Sequence, residues 1–537
     1  MTRVGVLLLV VGLCVPAAEA QTDSPQSREL ALLPDLVSNE VRVLAPAGDS
    51  LWSGPLLTLY LEPEDRPRPE ARLLLADEPA LTEEDNVVFA IAARNAAPRR
   101  ASVWAGLAFD TGGGEPGAGG FLVSSDGGAS FARRAPQLDA PDDTTVAYGG
   151  STLPAVPVTQ QAGSAPQALA LSPSADTAWV AGLRSGVRWS ADGGESWTRA
   201  VLPPDTSRTV DPATETAFRL APPLQDGRGW ANHVGYSVLV DETGTVWAGT
   251  LAGVNRSRPG SVTPDGRRAW RRFAATDSAR SLPGNVVVAL AEQPRRGGRN
   301  PVWMATWASQ ERGPRLQRFG VAVTPDGGAS FRQTLIGERI FDLAARPTQV
   351  YAAGETGLFV STDQGRTWRT VERFPLRSDD QVLPSTLTVR AVATTETALW
   401  VGTTEGLLRL DRAREARLAR GTPEWELFRA KTPVNPAQSS EQVPDVATYA
   451  YPNPFVPSRD DLVRIVYELD EPGPVTVTIY DFGMNRVRTI TEQQPAGQQE
   501  TVWRGRDEQG LRVPTGTYFY RVDLGGRTVD GKIVVAN

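Results

Sequence analysis

The chain has 537 residues with 62 acidic and 55 basic side chains, a formal net charge of −7 and a pI near 5.2. Broad nucleic-acid binding usually needs a basic face, so this balance argues against nucleic acid as a partner. The length allows two or three domains with a large core. The 51 glycines and 43 prolines are typical of a chain with many short strands and turns.

The first 20 residues have the features of a secretory signal peptide. Arg3 precedes an apolar run over residues 4–15 that is too short to span a bilayer, and Ala18-Glu19-Ala20 fits a small-x-small cleavage site. We expect residues 1–20 to be removed on export. The single cysteine, Cys14, lies inside this segment, so the mature chain should have no disulfide. No later run of about 18 apolar residues predicts a transmembrane segment.

An apolar–aromatic pair followed by small residues, usually with Gly, recurs at intervals of about 50 residues or more. Its aromatic residues are Trp52, Trp104, Trp179, Trp247, Trp303, Tyr351 and Trp400. Each copy follows another apolar run, such as Val286–Leu290 or Val389–Val392. Repeats of this length and strand-like content are typical of propeller blades. We predict an all-β fold with a seven-bladed β-propeller over residues 35–430.

A second motif, Ser/Thr-x-Asp-x-Gly-x-Ser/Thr-aromatic, occurs as Ser124–Phe131, Ser190–Trp197, Thr324–Phe331 and Ser361–Trp368. Its Asp and Ser side chains can accept backbone N–H groups, and Gly supplies the positive φ of a tight turn. The motif resembles the Asp-box (BNR, sialidase-type) repeat of β-propellers. The resemblance implies a structural role at blade corners for Asp126, Asp192, Asp326 and Asp363. A decayed copy, Thr263–Trp270, falls in the fourth unit.

The only histidine, His233, lies in the segment Trp230–Tyr236, just before a predicted inner strand. One histidine cannot form a His-based metal site, and we expect no metal and no cofactor. An Asn also precedes several inner strands, and it either caps a turn or belongs to a polar ring at the channel mouth. His233 is likewise either incidental or a ligand contact. The candidate ligand-binding residues are Trp230, Asn232, His233, Tyr236 and Asn285.

The Asp-box resemblance also suggests a glycoside hydrolase. Sialidases resemble one another in an Arg triad, a Tyr–Glu pair, an Asp acid and an Arg-Ile/Leu-Pro-like motif near the N-terminus. The nearest string here, Phe218–Pro222, lies in mid-propeller and carries an extra residue. We therefore name no catalytic residue. We favour a binding scaffold for a glycan or a surface protein over the alternative, a sialidase-like or other secreted glycoside hydrolase.

The stretch Thr111–Gly120 is rich in glycine but lacks the Lys of a phosphate-binding loop. We interpret it as a flexible insertion between two strands of the second blade.

Residues 431–447 are rich in Pro, Ser, Gln and Asn, which predicts a linker. Period-two runs follow at Val463–Tyr467, Val475–Tyr480 and Tyr518–Val522. They predict a small antiparallel Ig-like β-sandwich over residues 448–537.

Several stretches of this last domain resemble known Ig-like families: Tyr451–Phe455, Trp503–Asp507 and Val513–Tyr520. One family is the Ig-like domain of flagellar hook-capping proteins. The other is the C-terminal sorting domain of type IX secretion cargo. The second resemblance implies that secretion machinery is a partner, and that the protein passes through the periplasm to the cell surface or the medium. The same fold also occurs as a plain appended domain.

Overall fold

A computed structural model of the protein describes residues 40–536, except 56, 62–69, 74–85, 98–99, 113–114, 223–228, 310–316, 378–382, 385–386, 430–446, 458–459 and 461. The predicted signal peptide and residues 431–446 of the predicted linker lie outside the described residues. The described chain is nearly all β, and the predicted all-β class is confirmed.

In the described residues, seven antiparallel sheets, here called blades one to seven, follow one another along the chain. Their neighbouring strands are consecutive in sequence, apart from one extra strand in blade four. Blade one contains β1 (Leu44–Ala47), β2 (Ser50–Ser53), β3 (Thr58–Leu61) and β4 (Glu70–Leu73). Blade two contains β5 (Val87–Ala97), β6 (Arg100–Phe109), β7 (Gly117–Ser124) and β8 (Ala132–Arg134). A separate hairpin follows, with β9 (Thr145–Tyr148) and β10 (Ser151–Pro154).

Blade three contains β11 (Pro166–Leu171), β12 (Ala178–Gly182), β13 (Gly186–Ser190) and β14 (Thr198–Arg199). Blade four has a short extra outer strand, β15 (Thr209–Val210), which pairs with β19. After a 3-10 helix (Ala231–His233), its remaining strands are β16 (Gly235–Val240), β17 (Val246–Thr250), β18 (Gly253–Ser257) and β19 (Trp270–Phe273).

Blade five contains β20 (Val286–Glu292), β21 (Val302–Trp307), β22 (Gly320–Thr324) and β23 (Arg332–Thr334). Blade six contains β24 (Ile340–Arg346), β25 (Gln349–Gly354), β26 (Gly357–Ser361) and β27 (Arg369–Val371). Blade seven contains β28 (Val389–Thr394), β29 (Ala398–Thr403), β30 (Gly406–Asp411) and β31 (Glu426–Phe428), with helix α1 (Arg412–Glu415) after β30.

The first strands of the blades form a closed ring. Each contacts the first strand of the next blade, and β28 contacts β1. At this closure the Val41 N–H donates to the Thr403 carbonyl at 2.9 Å, and the Glu396 N–H donates to the Gly48 carbonyl at 3.0 Å. The predicted propeller is therefore confirmed, with its first strands around a central channel.

The aromatic–Gly repeat has a packing explanation. The second strands carry buried Trp side chains, such as Trp247 and Trp400, which are 1% and 0% exposed. A Cβ on Gly249 would lie 2.6 Å from the Val287 carbonyl oxygen of the next blade, and a Cβ on Gly402 would lie 2.5 Å from the Val41 carbonyl oxygen. Gly at this position therefore allows the first strand of the neighbouring blade to approach closely.

The glycine-rich stretch of blade two is not wholly an insertion, which corrects the prediction. Gly117–Gly120 form the first half of β7 and pair with β6. A Cβ at Gly119 would lie 1.9 Å from the Asn86 Oδ1 atom. These glycines thus serve close packing within a strand.

The C-terminal domain has two sheets. One contains β32 (Thr448–Tyr451), β33 (Val463–Leu469) and β36 (Gly497–Trp503). The other contains β34 (Gly473–Tyr480), β35 (Arg486–Gln494), β37 (Gly516–Asp523) and β38 (Thr528–Val535). Their inner faces share one apolar core, which includes Ile465, Val477, Trp503 and Ile533. The predicted period-two runs correspond to β33, β34 and β37.

A buried group of charged side chains, here called the interdomain cluster, joins this domain to blade seven. Glu500 accepts hydrogen bonds from Arg429, just after β31, at 2.5 Å and from Arg464 on β33 at 2.6 Å. Glu405 lies 3.5 Å from Arg464, and Arg429 also donates to the Tyr451 hydroxyl at 2.8 Å. The two Arg side chains are only 6% and 2% exposed. Each buried cation therefore has a carboxylate partner.

Candidate functional site

The four motif aspartates each lie in the turn between the third and fourth strands of a blade. In blade three, Ser190 Oγ donates to Asp192 Oδ1 at 2.7 Å, and the Ser196 N–H donates to the same oxygen at 3.0 Å. Asp126, Asp326 and Asp363 accept hydrogen bonds at the same positions of their turns. Burial would raise the pKa of Asp192, but hydrogen bonds from Ser196 and Ser190 outweigh it and lower the pKa to about 2. These carboxylates are held by their own turns.

The aromatic residue that ends each motif packs on the preceding blade. Trp197 of blade three lies 4.9 Å from Phe121 and 6.0 Å from Trp104 of blade two, measured between ring centroids. Trp368 of blade six likewise lies 6.1 Å from Trp303 of blade five. The turn thus fixes an aromatic contact between neighbouring blades.

The candidate segment before β16 is largely internal. Asn232 is fully buried, where its Nδ2 donates to the Asn255 Oδ1 at 2.8 Å and its Oδ1 accepts from the Thr250 hydroxyl at 2.7 Å. Asp205 accepts the N–H groups of Ala231 and Asn232. This network holds the 3-10 helix in place. A ligand contact by Asn232 stays a prediction.

His233 is 7% exposed and lies against main-chain carbonyls. Its Nδ1 is 3.1 Å from the Ala221 oxygen, and its Nε2 is 3.1 Å from the Leu202 oxygen. Burial lowers the pKa of the imidazole, while the two carbonyls oppose that shift. The adjoining cavity is about 30 Å³. That volume suits a water molecule or two, not a ligand of ordinary size.

The other candidates lie in different settings. Trp230 is half-buried, and its Nε1 donates to the Arg219 carbonyl at 2.9 Å. Asn285 Oδ1 accepts the Ala275 N–H at 2.7 Å. This hydrogen bond joins the segment just after β19 to the residue just before β20. Tyr236 is the second residue of β16 and is half-buried. The structure therefore brings Asn232 and His233 together beneath blade four and places Tyr236 on the innermost strand.

Tyr236 belongs to a set of equivalent positions, here called the mouth ring. Near the start of the first strand in blades two to seven, the pairing register shifts by one residue, which leaves an extra residue as a β-bulge. Arg42 takes the corresponding place in blade one. It lies between Val41, whose N–H donates to blade seven, and Val43, whose carbonyl accepts the Gly54 N–H. The ring comprises Arg42, Phe89, Gln167, Tyr236, Val288, Phe341 and Arg390, all half-buried.

These side chains share one end of the channel. The first strands all run in the same direction around the ring, and the bulges lie near their beginnings. Each first strand contacts the first strands of both neighbouring blades, and a β-bulge turns its extra side chain out of the regular alternation between the two faces of the strand. The mouth ring therefore lies where the first strands begin, around one end of the channel.

A cationic group, here called the arginine cluster, lies at the mouth ring beside blades six, seven and one; two of its members belong to the ring, and Arg339 directly precedes β24. Its members are Arg339, Arg390 and Arg42. The Arg390 guanidinium lies 4.8 Å from the Phe341 ring centroid, and that of Arg339 lies 5.5 Å from the same ring. Arg339 also lies 4.7 Å from the Trp307 ring. Sequence reasoning missed this cluster, because its members come from separate stretches of a chain in which Arg is frequent.

One carboxylate belongs to the arginine cluster. Glu40 is 2.8 Å from Arg42 and 3.2 Å from Arg390. Burial lowers the pKa of the Arg390 guanidinium; Glu40 opposes this shift, whereas the positive charges of Arg42 and Arg339 add to it. The charges of Arg42 and Arg339 thus act on Arg390, and Glu40 is the carboxylate that offsets them there.

Asp342 follows Phe341 on β24 and has a perturbed carboxyl. Its oxygens accept the Leu343 N–H at 2.8 Å and the Val392 N–H at 3.0 Å. Burial raises its pKa to about 6, although both hydrogen bonds favour the ionised form. A carboxyl that titrates near neutral pH therefore lies next to the mouth ring.

A contrasting group, here called the Asp139 cluster, lies beside blade three. Asp139 accepts two hydrogen bonds from Arg188, at 2.6 and 2.8 Å, and two from Arg199. Arg188 also donates to the Ser185 carbonyl, and Arg199 donates to the Val156 carbonyl. Burial would raise the pKa of Asp139, but the bonds from both arginines outweigh it and lower the pKa to about 2.

A cleft of about 510 Å³ lies beside blade two. Asn86, Phe109, Arg133, Arg134 and Gln161 are among its lining residues. Within the ranges that the structure describes, no group of three or more His, Cys, Asp or Glu is placed to hold a metal ion. Those same ranges contain no helix of the length and apolarity that a membrane crossing requires.

Comparison with known families bears on the C-terminal domain. Residues 458–526 match the family model of the FlgD Ig-like domain. FlgD from P. aeruginosa is 26% identical to this chain over 17% of it and 68% of FlgD, with a TM-score of 0.14. No curated protein matches the chain. The family match supports the predicted Ig-like domain.

Two solved structures are similar over most of the chain. PorZ, described as an essential bacterial surface component of the type-IX secretion system of Porphyromonas gingivalis, is 13% identical over 93% of this chain and 70% of PorZ, with a TM-score of 0.35. The GH74 xyloglucanase from Xanthomonas campestris is 13% identical over 93% of this chain and 74% of the enzyme, with a TM-score of 0.49.

Proposed function

We propose that the protein is an exported binding protein. Its propeller holds a ligand, a glycan or a surface protein, at the mouth ring, and its Ig-like domain directs or anchors the chain at the cell surface. The observation that carries the binding role is the mouth ring itself. It brings half-buried aromatic and cationic side chains from separate blades to one end of the propeller, and ligand sites combine such groups.

The contrast with the motif aspartates supports binding at the ring. The carboxylates of Asp126, Asp192, Asp326 and Asp363 accept hydrogen bonds inside their own turns. Tyr236, Phe341 and Arg390 are instead half-buried at the channel. Side chains that are positioned but still accessible are better suited to contact a ligand.

A binding experiment tests the propeller's role. The wild-type protein and Tyr236→Ala are applied to a panel of immobilised glycans and to isolated outer-membrane fractions. We expect Tyr236→Ala to reduce binding at least fivefold. Phe482→Ala is the matched control, since Phe482 is 79% exposed on the Ig-like domain. Equal loss in both variants, or no loss in Tyr236→Ala, contradicts ligand binding at the ring.

The role of the Ig-like domain in export rests on its family match and on the resemblance to sorting domains. We propose secretion machinery as its partner. Deleting residues 449–537 should leave the protein in the periplasm, whereas the full chain should be cleaved when protease is added to intact cells. Because the deletion removes Arg464 and Glu500 of the interdomain cluster, trypsin resistance of periplasmic extracts checks that the propeller still folds. Unchanged surface display of the folded deletion variant refutes sorting by this domain.

One observation favours a second function, a secreted glycoside hydrolase. Asp342 has a pKa of about 6 beside the mouth ring, and a carboxyl in this range can act as a general acid. Hydrolysis of a panel of chromogenic glycosides, with Asp342→Asn as the inactive comparison, tests this alternative. Activity that Asp342→Asn retains would rule out Asp342 as the acid.

A further inference from the structure

The arginine cluster differs from other arginine sites of the propeller in how its side chains are held. Arg188, Arg346 and Arg409 each pair with a carboxylate and are at most 9% exposed. Arg339 and Arg390 have longer carboxylate contacts, at 3.9 and 3.2 Å, and both stack on the Phe341 ring; each is 22% exposed. An aromatic face orients a guanidinium without cancelling its charge.

The hydrogen-bonding groups of the arginine cluster are only partly used. Arg339 Nε is buried without a hydrogen-bond partner among the described residues. Its nearest carboxylate, Glu355, is 3.9 Å from Nη1 and is itself 58% exposed. A guanidinium carries five N–H donors in a planar fork that matches the two oxygens of a carboxylate or phosphate. Arg339 therefore has hydrogen-bond donors that the described residues do not use, on a side chain that is 22% exposed.

The Glu40 carboxylate indicates what an incoming group would replace. Glu40 bridges Arg42 and Arg390 with one oxygen on each, at 2.8 and 3.2 Å. Its side chain is 17% exposed and belongs to the segment just before β1. A carboxylate of the chain itself thus occupies part of the position that an external oxyanion would take.

We propose that Arg42, Arg339 and Arg390 form an oxyanion-binding site, which takes a carboxylate or phosphate group of the ligand at the channel mouth. The inference rests on the proposed binding function and specifies the chemical class of its ligand. Trp307 and Phe341 hold the guanidinium groups in place. Trp307 is itself fixed by a 2.7 Å hydrogen bond from its Nε1 to the Ile340 carbonyl. Glu40 acts as an internal competitor.

The test uses the full mature chain, with inorganic phosphate and citrate as probes and glucose as a neutral comparison. Binding is measured by calorimetry at low ionic strength. We expect Arg339→Gln and Arg390→Gln each to weaken binding about tenfold, since each removes a charge-assisted pair. Glu40→Gln should tighten binding several-fold by removing the competitor. Added salt should weaken binding to the wild type. Preference for phosphate or for citrate identifies the group.

Arg258→Gln is the matched control, because it removes the same charge from a propeller side chain that is 70% exposed in blade four. Its affinity should equal that of the wild type. The gain expected for Glu40→Gln cannot arise from misfolding, so it guards against a loss of structure in the arginine variants. The inference is overturned if neither probe binds, if Glu40→Gln weakens binding, or if Arg258→Gln has the same effect as Arg390→Gln.

The two levels of the proposal fail separately. Tyr236-dependent binding of a glycan or membrane fraction that neither phosphate nor citrate inhibits would overturn the oxyanion site and leave the binding function standing. Conversely, oxyanion binding with no retention on any glycan or membrane fraction would support the site and contradict the wider function.

Discussion

The Asp139 cluster and the arginine cluster are built from the same cation in different ways. Asp139 accepts four hydrogen bonds from Arg188 and Arg199, and the three side chains are 6%, 1% and 12% exposed. At the mouth, by contrast, Arg339 and Arg390 stack on the Phe341 ring, and Arg390 shares the Glu40 carboxylate with Arg42. The comparison distinguishes arginines whose buried ion pairs stabilise the fold from arginines that the fold positions at its surface.

The largest expected effect concerns the Asp139 cluster. Asp139→Asn leaves Arg188 and Arg199 without a carboxylate, and unpaired buried charges typically cost about 3–5 kcal/mol. Urea unfolding followed by Trp fluorescence measures the loss. Asp142→Asn, an exposed residue of the same connection, should change the free energy of unfolding by less than about 0.5 kcal/mol. Similar free energies of unfolding for the two variants would show that the Asp139 cluster does not stabilise the fold.

The same cluster predicts a pH dependence. The pKa of Asp139 is about 2 in the folded chain, below its ordinary value of 3.8, so its stabilisation is complete above pH 3.8 and is lost as the pH falls through 2. The stability difference between the wild type and Asp139→Asn should therefore shrink by about 2 kcal/mol between pH 4 and pH 2. Unfolding curves across this range measure the change. A constant difference would contradict the lowered pKa.

A third prediction concerns the motif turns. Gly328 has φ of 91°, and a Cβ there would lie 2.4 Å from the Phe273 ring. Gly328→Ala should cost about 2 kcal/mol, because positive φ and the ring both oppose the methyl group. Gly193 has φ of 72° with nothing near its Cβ position, so Gly193→Ala should cost only about 1 kcal/mol. Equal losses in urea unfolding would assign the whole effect to the backbone.

The smallest effect is expected at the mouth. Arg339→Gln removes cation–π contacts with Trp307 and Phe341, which are worth about 0.5–1 kcal/mol at a partly exposed site. The free energy of unfolding should therefore fall by less than about 1 kcal/mol. A loss as large as that of Asp139→Asn would show that the arginine cluster, like the Asp139 cluster, mainly stabilises the fold.

The fold was readable from the sequence because its signals are local and periodic. Trp247 and Gly249 recur with their equivalents in other units, and each motif turn is built within eight residues. The fifth strand of blade four and the first half of β7 escaped prediction. Thr209–Val210 is too short to form a pattern, and Gly117–Gly120 has the composition of a loop. Only their tertiary pairing makes them strands.

The candidate site was less predictable, for a physical reason. A β-bulge is a property of the register between two strands, and nothing in the local composition marks Phe89, Gln167 or Val288 as equivalent. The segment at His233 was selected because it contains the only histidine of the chain and precedes a predicted inner strand. Those side chains lie mostly inside a hydrogen-bond network, and only Tyr236 belongs to the mouth ring.

The bond between Val41 and Thr403 has a consequence for the order of folding. It joins the two ends of the propeller sequence, so it can form only after the intervening blades have taken their places. Contacts of such long sequence separation form slowly, because the chain between them must first be ordered. Until then the incomplete ring presents apolar blade faces to its surroundings, and such surfaces promote association. If the apolar faces of blades one and seven are kept from associating with other chains while the ring is open, the yield of refolded protein should therefore rise.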